Sequence, residues 1–520
     1  MRIETRLRHS AQHNPDKTAL VTGSSRLSYR DLDRQSDALA FSLTRQGVKP
    51  TDRILLLMEN CSEAVIGFFA AWKAGAVACP LHPSMKPDKL AAIIESTKPA
   101  AIFMQARTAA AVDAALAMTG QAPLRVAIQA SDAFGADTLR FDDLLRDGSG
   151  HAAPLITDEA ALALLIHTSG STGGPKGVML SHANVDAACQ SILGYLGNGP
   201  DDIVLNVLPL SFGYGITQVV TMASVGGTLV LEKSFAFPRK ILERLAEEKV
   251  TGFPLVPPMA ALVTGMQDLT PGFLPHLRYV TSAAAALPPA LSQRLQQLLP
   301  ATDIFVMYGQ TECMRISYLP PEELAARPTS VGKAIPGTRL LVIDEDGEPA
   351  GPGVIGELIV EGPHVMAGYW QNDAATSRAL GPASSTAAGA RRLRTGDLFR
   401  TDDEGFLYFI SRKDDIIKTR GEKVSPQEVE RALYALAGVR EAAVTGVDDP
   451  IFGQAVRGHV ALEPGIVLTE RDIIRHCASL LEDYMVPKSI EFRDALPRTT
   501  TGKIRMSAEG DRKPQGGNAA

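Results

Sequence analysis

Cysteine is scarce in this sequence, with five residues in a chain of 520. They stand far apart, at Cys61, Cys79, Cys189, Cys313 and Cys477. None of them forms a Cys-x-x-Cys pair, so the sequence indicates neither a zinc site nor a disulfide framework. An odd and sparse set of cysteines is typical of proteins in a reducing compartment, and we therefore expect a cytoplasmic protein.

The sequence also lacks an excess of positive charge and any long hydrophobic run. It has 52 lysines and arginines against 58 aspartates and glutamates, a formal charge of −6, which provides no basic field for a nucleic acid. The first four residues contain no apolar signal core, and the most apolar early segment, residues 64–72, is too short to span a bilayer. We therefore expect no nucleic-acid partner and no membrane span. Because the net charge is negative, individual side chains and backbone groups must bind any negatively charged substrate.

What the sequence does contain is a segment rich in glycine and hydroxyl groups after a predicted strand. Residues 161–166 are an apolar run typical of a buried strand, and the following loop carries a single lysine before a helix predicted near Ser181. Glycines let a backbone approach a ligand closely, and N–H groups and hydroxyls in such a loop bind phosphate oxygens. The residues predicted to bind phosphate are Thr168, Ser169, Gly170, Ser171, Thr172, Gly173, Gly174 and Lys176.

This loop differs from the common nucleotide-binding loop, which has a glycine before its lysine and a serine or threonine after it. Here Pro175 precedes Lys176 and Gly177 follows it. The alternative interpretation is a flexible surface loop. It is disfavoured because a strand precedes the segment and linkers seldom carry a lone lysine after proline.

Strand and helix patterns alternate along the first 331 residues, which predicts an α/β fold with two doubly wound parallel sheets. After that, short strands separated by turn residues predict a small β-barrel-like subdomain, and an α+β domain follows it. The predicted N-terminal domain is 1–411, with subdomains at about 1–157, 158–331 and 332–411, and the predicted C-terminal domain is 412–520.

Small or polar residues follow four of the later predicted strands, at 209–215, 257–258, 283–286 and 309–312. Ligands in open α/β sheets lie at the carboxyl ends of the strands. These four segments therefore predict one shared binding edge.

The last of these segments, with the tyrosine before it, reads Tyr308-Gly309-Gln310-Thr311-Glu312. A carboxylate beside phosphates is repelled unless a cation joins them, so Glu312 is a predicted Mg²⁺ ligand. Thr311 is suited to donate to a phosphate, and Tyr308 is suited to stack on a base. The alternative is the start of a helix with a glutamate in its first turn.

Two residues further along the chain are additional candidates. Asp397 is suited to accept hydrogen bonds from ribose hydroxyls, although an ordinary turn explains the same residue type. Lys503 lies in a polar loop before an apolar residue, where it can present an ammonium group to another part of the molecule. The alternative for Lys503 is a solvated lysine.

These segments, in their order and nearly in their spacing, resemble the adenylate-forming superfamily, which includes acyl-CoA synthetases, adenylation domains of peptide synthetases and firefly luciferases. The resemblance covers about residues 10–506. It implies two α/β sheets and a β-subdomain, with a small mobile C-terminal domain that swings over them. It also implies that residues 168–176 hold the β- and γ-phosphates of ATP, that residues 308–311 contact adenine and phosphate, that Glu312 binds Mg²⁺ and that Asp397 binds the ribose.

The resemblance assigns roles to later residues as well. Arg412 matches an arginine that contacts the nucleotide, and Asp414 matches the hinge between the domains. Lys503 matches the catalytic lysine that bridges the α-phosphate and the substrate carboxylate. The stretch that the domain rotation brings to the thiol channel contains Lys418, Arg420 and Gly421.

Two departures from the family pattern concern the acyl pocket. Where many acyl-CoA synthetases have histidine and peptide-synthetase domains have Phe-Asp, this chain has Phe212-Gly213, which offers no anion to an α-ammonium group. Four alanines, 283–286, replace the usual Gly-Gly-Ala-Pro loop, and we expect the two added methyl groups to narrow the space near the carboxylate and adenine. The predicted pocket residues are Phe212, Gly213, Tyr214, Ala283 and Ala284, whereas Val256, Met259 and Met314 fit plain core positions better.

The resemblance implies an ATP-dependent acid–thiol ligase. A carboxylic acid, not an α-amino acid, attacks the α-phosphate to give acyl-AMP and pyrophosphate, and CoA then takes the acyl group. Cations at Lys503 and Mg²⁺ neutralise the developing charge. Three alternatives stay open: an enzyme that loads the phosphopantetheine of an acyl carrier protein, a luciferase-like oxygenase, and a nucleotide-binding regulator without catalysis, against which Lys503 and Glu312 argue.

Overall fold

The computed structural model describes residues 1–129, 131, 133–135, 137–153, 156–169, 175–382, 390–413, 415–419, 422–449, 453–498, 504 and 506. The chain forms two compact units. The larger unit contains Met1–Leu340 and Val360–Arg394, and the smaller unit contains Leu341–Ile359 and Thr395–Ala520.

Helices and strands alternate along the first part of the chain, as predicted. The helices are α1 (Ile3–His13), α2 (Tyr29–Arg45), α3 (Ser62–Lys73), α4 (Pro87–Thr97), α5 (Ala106–Thr119) and α6 (Phe141–Asp147). The strands are β1 (Thr18–Thr22), β2 (Ser25–Ser28), β3 (Arg53–Leu57), β4 (Val77–Leu81), β5 (Ala101–Gln105), β6 (Leu124–Ile128) and β7 (Leu139–Arg140).

The alternation continues through the second part. The strands are β8 (Leu162–Ser169), β9 (Pro175–Ser181), β10 (Ile203–Asn206), β11 (Thr228–Leu231), β12 (Gly252–Leu255), β13 (Tyr279–Ser282), β14 (Asp303–Tyr308) and β15 (Ser317–Leu319). The helices are α7 (His182–Leu196), α8 (Gly213–Val225), α9 (Pro238–Glu247), α10 (Pro257–Thr264) and α11 (Pro289–Leu298).

Short strands dominate the remainder of the chain. They are β16 (Lys333–Ala334), β17 (Arg339–Ile343), β18 (Gly356–Gly362), β19 (Gly368–Tyr369), β20 (Leu380–Gly381), β21 (Arg391–Thr401), β22 (Leu407–Arg412), β23 (Ile417–Thr419), β24 (Glu422–Val424), β25 (Val439–Asp449), β26 (Gly453–Leu462) and β27 (Ser489–Phe492). The helices are α12 (Asp373–Ala379), α13 (Pro426–Tyr434) and α14 (Glu470–Ala478).

Two long sheets form the larger unit. Within the described residues, one has eight strands in the order β19-β9-β8-β4-β3-β5-β6-β7, and the other has nine in the order β16-β15-β14-β13-β12-β10-β11-β1-β2. Most neighbouring strands are parallel, and buried apolar residues such as Leu55, Ile102 and Leu165 line the interior. The predicted α/β class with two doubly wound sheets is confirmed.

The distribution of strands between these sheets differs from chain order. The β8–β9 hairpin lies beyond residue 158 but joins the first sheet, where Leu164 is paired with Ala78 of β4. Strand β1 joins the second sheet, where Leu20 is paired with Leu229 of β11. The expected subdomain boundary near 158 therefore does not separate the two sheets, because an apolar pattern identifies a buried strand but not its neighbour.

Strand β9 is a second difference. We predicted a loop up to the helix near Ser181, whereas Pro175–Ser181 is a strand antiparallel to β8. Proline and glycine at its start conceal its strand character, because both are depleted in strands. The predicted helix follows at once, and the Ser181 hydroxyl caps it by accepting a hydrogen bond of 3.1 Å from the N–H of Asn184.

The smaller unit has its own C-terminal sheet, in the order β24-β23-β26-β25 with β27 beside β26 among the described strands. Helices α13 and α14 contribute the fully buried Leu433 and Ile473 to its core. The predicted α+β domain is thus present. A further sheet has the described strand order β17-β18-β21-β20, with β22 beside β21, and corresponds to the predicted β-subdomain.

None of the helices that the structure describes is both long enough and apolar enough to cross a bilayer.

Candidate active site

The described residues of the predicted phosphate-binding segment belong to the antiparallel strands β8 and β9. Thr168 is paired with Lys176, and the pairing continues to the end of both strands. The Thr168 hydroxyl also donates to the carbonyl oxygen of Lys176 at 3.5 Å. The hairpin therefore fixes both ends of the loop, whereas the predicted residues Gly170, Ser171, Thr172, Gly173 and Gly174 lie outside the described residues.

A glycine next to this lysine permits a close approach of another segment. A Cβ atom on Gly177 would lie 3.1 Å from Cβ of Trp370 and 3.0 Å from Cδ1 of Leu165. The N–H of Trp370 donates to the carbonyl oxygen of Gly177 at 2.7 Å. A side chain at this position would crowd both neighbours, so the glycine explains how closely the segment that contains β19 approaches β9.

Strand β19 brings Tyr369 between the two predicted phosphate-site residues. Lys176 Nζ lies 5.5 Å from the centroid of the Tyr369 ring. The Tyr369 hydroxyl donates to Oε1 of Glu312 at 2.8 Å. Lys176, Tyr369 and Glu312 thus form one contiguous group, which we call the lysine–tyrosine–glutamate cluster. Sequence reasoning missed Tyr369, because a two-residue strand leaves no periodic signal.

Glu312 lies in a tight turn between the antiparallel strands β14 and β15, so the alternative of a helix start is wrong. The N–H of Met366 donates to the carbonyl oxygen of Glu312 at 2.8 Å. A Cβ atom on Gly309 would lie 2.7 Å from the carbonyl oxygen of Met314, so only glycine fits there. Gln310 Nε2 donates to the hydroxyl of Tyr308 at 3.2 Å, which orders the residues predicted to contact adenine.

The predicted acyl-pocket residues come from the start of α8 and the end of β13. Phe212 is the N-cap residue of α8 and lies 6.1 Å from the ring of His82, measured between ring centroids. The Tyr214 hydroxyl donates to the carbonyl oxygen of Thr281 at 3.0 Å. Burial raises the pKa of Tyr214, so the phenol stays neutral. Ala283, two residues after Thr281 in the chain, is buried.

Two residues of this region have a strained backbone. Ala284 has a φ of 75° and Met314 a φ of 59°, in the left-handed region that residues other than glycine seldom adopt. Such conformations persist where the surrounding structure imposes them, and they cluster at binding sites. The family that this chain resembles has glycine at the position of Ala284. The positive φ at this position explains that preference for glycine.

Two further residues of this region were missed by sequence reasoning. His167 directly precedes Thr168, and burial lowers its pKa to about 4, so it adds no charge beside the phosphate loop. Arg315 is almost fully buried, and its guanidinium lies 5.0 Å from the centroid of the Tyr214 ring. Neither residue belongs to a motif that would have identified it.

The smaller unit contains the predicted ribose ligand and the predicted nucleotide arginine as a pair. Asp397 in β21 is paired with Arg412 at the end of β22, and the Arg412 Nε lies 3.3 Å from Oδ1 of Asp397. Asp397 belongs to a strand, so the alternative of an ordinary turn is wrong. Lys418 is the middle residue of β23. The other predictions, Asp414, Arg420, Gly421 and Lys503, lie outside the described residues.

Comparison with known proteins agrees with this arrangement. Residues 7–370 match the AMP-binding enzyme family, and residues 428–503 match the AMP-binding enzyme C-terminal domain. A feruloyl-CoA synthase of Amycolatopsis sp is 32% identical over 95% of this chain and 95% of its own length. The phosphinothricin tripeptide synthetase PhsC of Streptomyces viridochromogenes is 32% identical over 99% of this chain and 45% of its own length.

The crystal structure of ATP-bound MatB from Rhodopseudomonas palustris has a TM-score of 0.87 with this chain, at 27% identity and over 97% of both chains. The family matches cover most of the chain, and the regions they cover include the hairpin, the Glu312 turn and strands β25, β26 and β27 of the C-terminal sheet. The chain belongs to the AMP-binding enzyme family and is an AMP-forming acyl-CoA synthetase, an ATP-dependent acid–thiol ligase.

Proposed function

We propose that this synthetase adenylates a carboxylic acid other than an α-amino acid, and that the lysine–tyrosine–glutamate cluster binds the triphosphate of ATP. The cluster is the observation that carries the proposal. Lys176 provides a cation beside the phosphate loop, and the Tyr369 hydroxyl fixes the Glu312 carboxylate by a 2.8 Å hydrogen bond. A cation and an anion held this close to a phosphate loop suit a phosphate chain that carries a metal ion.

Glu312 fits the proposed Mg²⁺ ion. Mg²⁺ in nucleotide sites is usually held by one or two carboxylates together with substrate phosphates and water, rather than by an all-protein cage. In the described residues, no group of three or more His, Cys, Asp or Glu side chains forms such a cage. When bound, the ion would neutralise charge on the leaving pyrophosphate.

The remaining roles follow the family resemblance. Asp397 is proposed to hold the ribose hydroxyls, and Arg412 to contact the nucleotide. The substrate carboxylate attacks the α-phosphorus, a new oxygen–phosphorus bond forms, and pyrophosphate leaves. Lys503 is proposed to stabilise the charge on this carboxylate and on the α-phosphate, a contribution of order 3 kcal/mol for one well-placed donor. The CoA thiol then attacks the acyl carbon, and AMP leaves.

The start of α8 supports the exclusion of α-amino acids. Gly213 is the first residue of that helix, and a Cβ atom added there would meet only Cδ1 of Ile166, at 4.0 Å. The position therefore has room for a carboxylate side chain but carries none. Without an anion at this position, an α-ammonium group would lose its hydration without gaining a partner.

The experiment that tests the adenylation proposal is Lys503→Ala. Acid-dependent exchange between ATP and pyrophosphate should fall by about 100-fold or more, whereas thiolysis of supplied acyl-AMP should continue. Lys89→Ala, a change of an exposed lysine in α4, is the matched control and should leave both reactions intact. Retained exchange in Lys503→Ala would refute the role of this lysine.

A second acceptor is worth testing because the chain also resembles a segment of a peptide synthetase. We expect CoA to be preferred over the phosphopantetheine of a carrier protein. A panel of carboxylic and amino acids, measured by pyrophosphate release with CoA, with a phosphopantetheinylated carrier or with neither, identifies the acid and the acceptor together. Acyl transfer to the carrier alone would contradict the choice of CoA but not the adenylation step.

A further inference from the structure

Arg315 is a buried cation for which the described residues provide no acceptor. Its side chain is 3% exposed, and its Nε atom has no hydrogen-bond partner. Its guanidinium donates no hydrogen bond and joins no ion pair in the part of the chain that the structure describes. Its neighbour is the ring of Tyr214, whose centroid lies 5.0 Å away.

Such an arginine is unusual, because a guanidinium removed from water is normally paired with a carboxylate or with several carbonyl oxygens. An aromatic face attracts a cation but accepts none of its five N–H donors. Two ionisable neighbours among the described residues, Tyr195 and His364, supply no anion. Burial raises the pKa of Tyr195 to about 12 and lowers that of His364 to about 4, so both are neutral at pH 7.

The position of Arg315 connects it to the acyl pocket. It lies in the same turn as Glu312, three residues further along the chain, and its Cα would be 3.1 Å from a Cβ atom on Gly309. Tyr214, on which it stacks, is anchored to Thr281 just before Ala283 and Ala284. The guanidinium therefore lies among residues predicted to surround the acyl group.

We propose that Arg315 binds a second carboxylate of the acid substrate, and that the enzyme acts on dicarboxylic acids, of which one carboxylate is adenylated and the other stays ionised. This inference rests on the proposed function. A planar guanidinium forms two parallel hydrogen bonds with a carboxylate, so it selects this group by geometry as well as by charge. The lack of an anion at Gly213 agrees with it, because a carboxylate there would repel such a substrate.

The test compares acids that differ only in the second carboxylate. Succinate is compared with butyrate, glutarate with pentanoate, adipate with hexanoate, and terephthalate with 4-methylbenzoate, by pyrophosphate release. In the wild-type enzyme, kcat/KM for at least one diacid should exceed that of its partner by about 100-fold, because the monoacid leaves a buried donor group unpaired. Arg315→Met should remove this preference and keep the monoacid rate within about threefold, and Arg315→Lys should retain part of it.

Arg278→Met is the matched control. Arg278 also lies over a tyrosine ring, 5.1 Å from the centroid of Tyr279, but it is paired with Asp202 at 3.0 Å. This change should leave the preference between diacids and monoacids unaltered. Thermal melting accompanies each variant, and Arg315→Met should melt no lower than the wild type, because the change removes an unpaired buried charge.

Two outcomes would overturn the inference while leaving the ligase function intact. The first is a wild-type preference for monoacids. The second is an equal loss for both acids of a pair in Arg315→Met, which would place Arg315 at the reacting carboxylate or in a structural role. Failure of every acid to release pyrophosphate would contradict the proposed function itself, and the inference with it.

Discussion

The hydroxyl of Tyr369 links the carboxylate of Glu312 to the aromatic ring that lies beneath Lys176. In Tyr369→Phe, the ring beneath Lys176 stays, and the 2.8 Å hydrogen bond to Glu312 is lost. A hydrogen bond to a charged acceptor contributes about 1.5 to 3 kcal/mol, so we expect kcat/KM for MgATP to fall by roughly tenfold or more. Pyrophosphate release, measured over a series of Mg²⁺ concentrations, checks this.

The control for this change is Tyr408→Phe. Tyr408 donates to Oδ2 of Asp402 at 3.0 Å in the smaller unit, so this variant loses the same kind of hydrogen bond at a residue that is not part of the cluster. Its kinetics should match the wild type. Equal magnesium dependence in all three proteins would mean that Glu312 needs no positioning by the phenol.

At Ala284, the methyl group of alanine lowers the stability of the fold relative to glycine, because the backbone is left-handed there. Its φ of 75° costs an ordinary residue about 1 to 2 kcal/mol, and glycine avoids most of this cost. After the greater entropy of glycine in the unfolded chain is subtracted, Ala284→Gly should stabilise the protein by about 0.5 to 1 kcal/mol. Calorimetry checks the prediction.

Ala283→Gly is the matched control, because Ala283 is buried and its φ is not positive. There the change should destabilise the protein by about 0.5 to 1 kcal/mol, since glycine loses more entropy on folding. A lower melting temperature for both variants would show that the left-handed backbone at Ala284 carries no strain.

At this scale, the residue types of the site were predictable and their connections were not. A lysine in a glycine-rich loop and a glutamate after a buried strand are signals that survive in the sequence, because they depend on neighbours a few positions away. Tyr369 and Arg315 depend on contacts with distant segments, so nothing in their local sequence distinguishes them.

At the scale of elements, helix α13 offers a test of stability against pH. Burial raises the pKa of its Glu430 to about 7, although the N–H of Val444 donates to this carboxylate at 3.0 Å. Between pH 4.5, the ordinary value, and pH 7, the folded state therefore binds more protons than the unfolded state. The free energy of unfolding should fall as the pH rises through this range, by up to about 3 kcal/mol.

Glu430→Gln should remove this dependence and make the protein more stable than the wild type at pH 8. Calorimetry of the full chain between pH 5 and 8 measures the difference. Glu428→Gln, at an exposed position of the same helix, is the control and should follow the wild-type profile. Parallel profiles for all three proteins would contradict the protonated state of Glu430.

Elements with a strong local signal agree closely with the sequence-based predictions. The helix predicted near Ser181 is α7, which begins at His182, and the Ser181 hydroxyl caps it by accepting from the N–H of Asn184 at 3.1 Å. Strand β9 and its pairing with β19 were not predictable. Gly177 and Gly368 allow the two strands to approach closely, but glycine has no strand propensity. Helix capping depends on residues a few positions apart in the sequence, whereas the neighbour of a strand in a sheet depends on the whole fold.

For the whole molecule, the hairpin and the Glu312 turn belong to one compact unit, and Asp397 and Arg412 belong to the other. In the proposed mechanism, the two half-reactions place different groups beside the acyl carbon, first Lys503 and then the CoA thiol. A chain that serves both must change conformation between them, and the family resemblance assigns the pivot to Asp414. This position lies two residues after Arg412 of the Asp397–Arg412 pair, and the N–H of the next residue, Asp415, donates to the carbonyl oxygen of Arg412 at 3.1 Å.

Asp414→Pro tests the pivot, because proline fixes φ near −65° and removes a backbone donor. We expect one half-reaction to slow by at least tenfold while the other continues, since a locked backbone retains only one arrangement. Pyrophosphate exchange measures adenylation, and thiolysis of supplied acyl-AMP measures transfer to CoA. Asp414→Ala removes the carboxylate but keeps the backbone free, so it should support both reactions. Wild-type rates for the proline variant in both assays would remove Asp414 from the domain rotation.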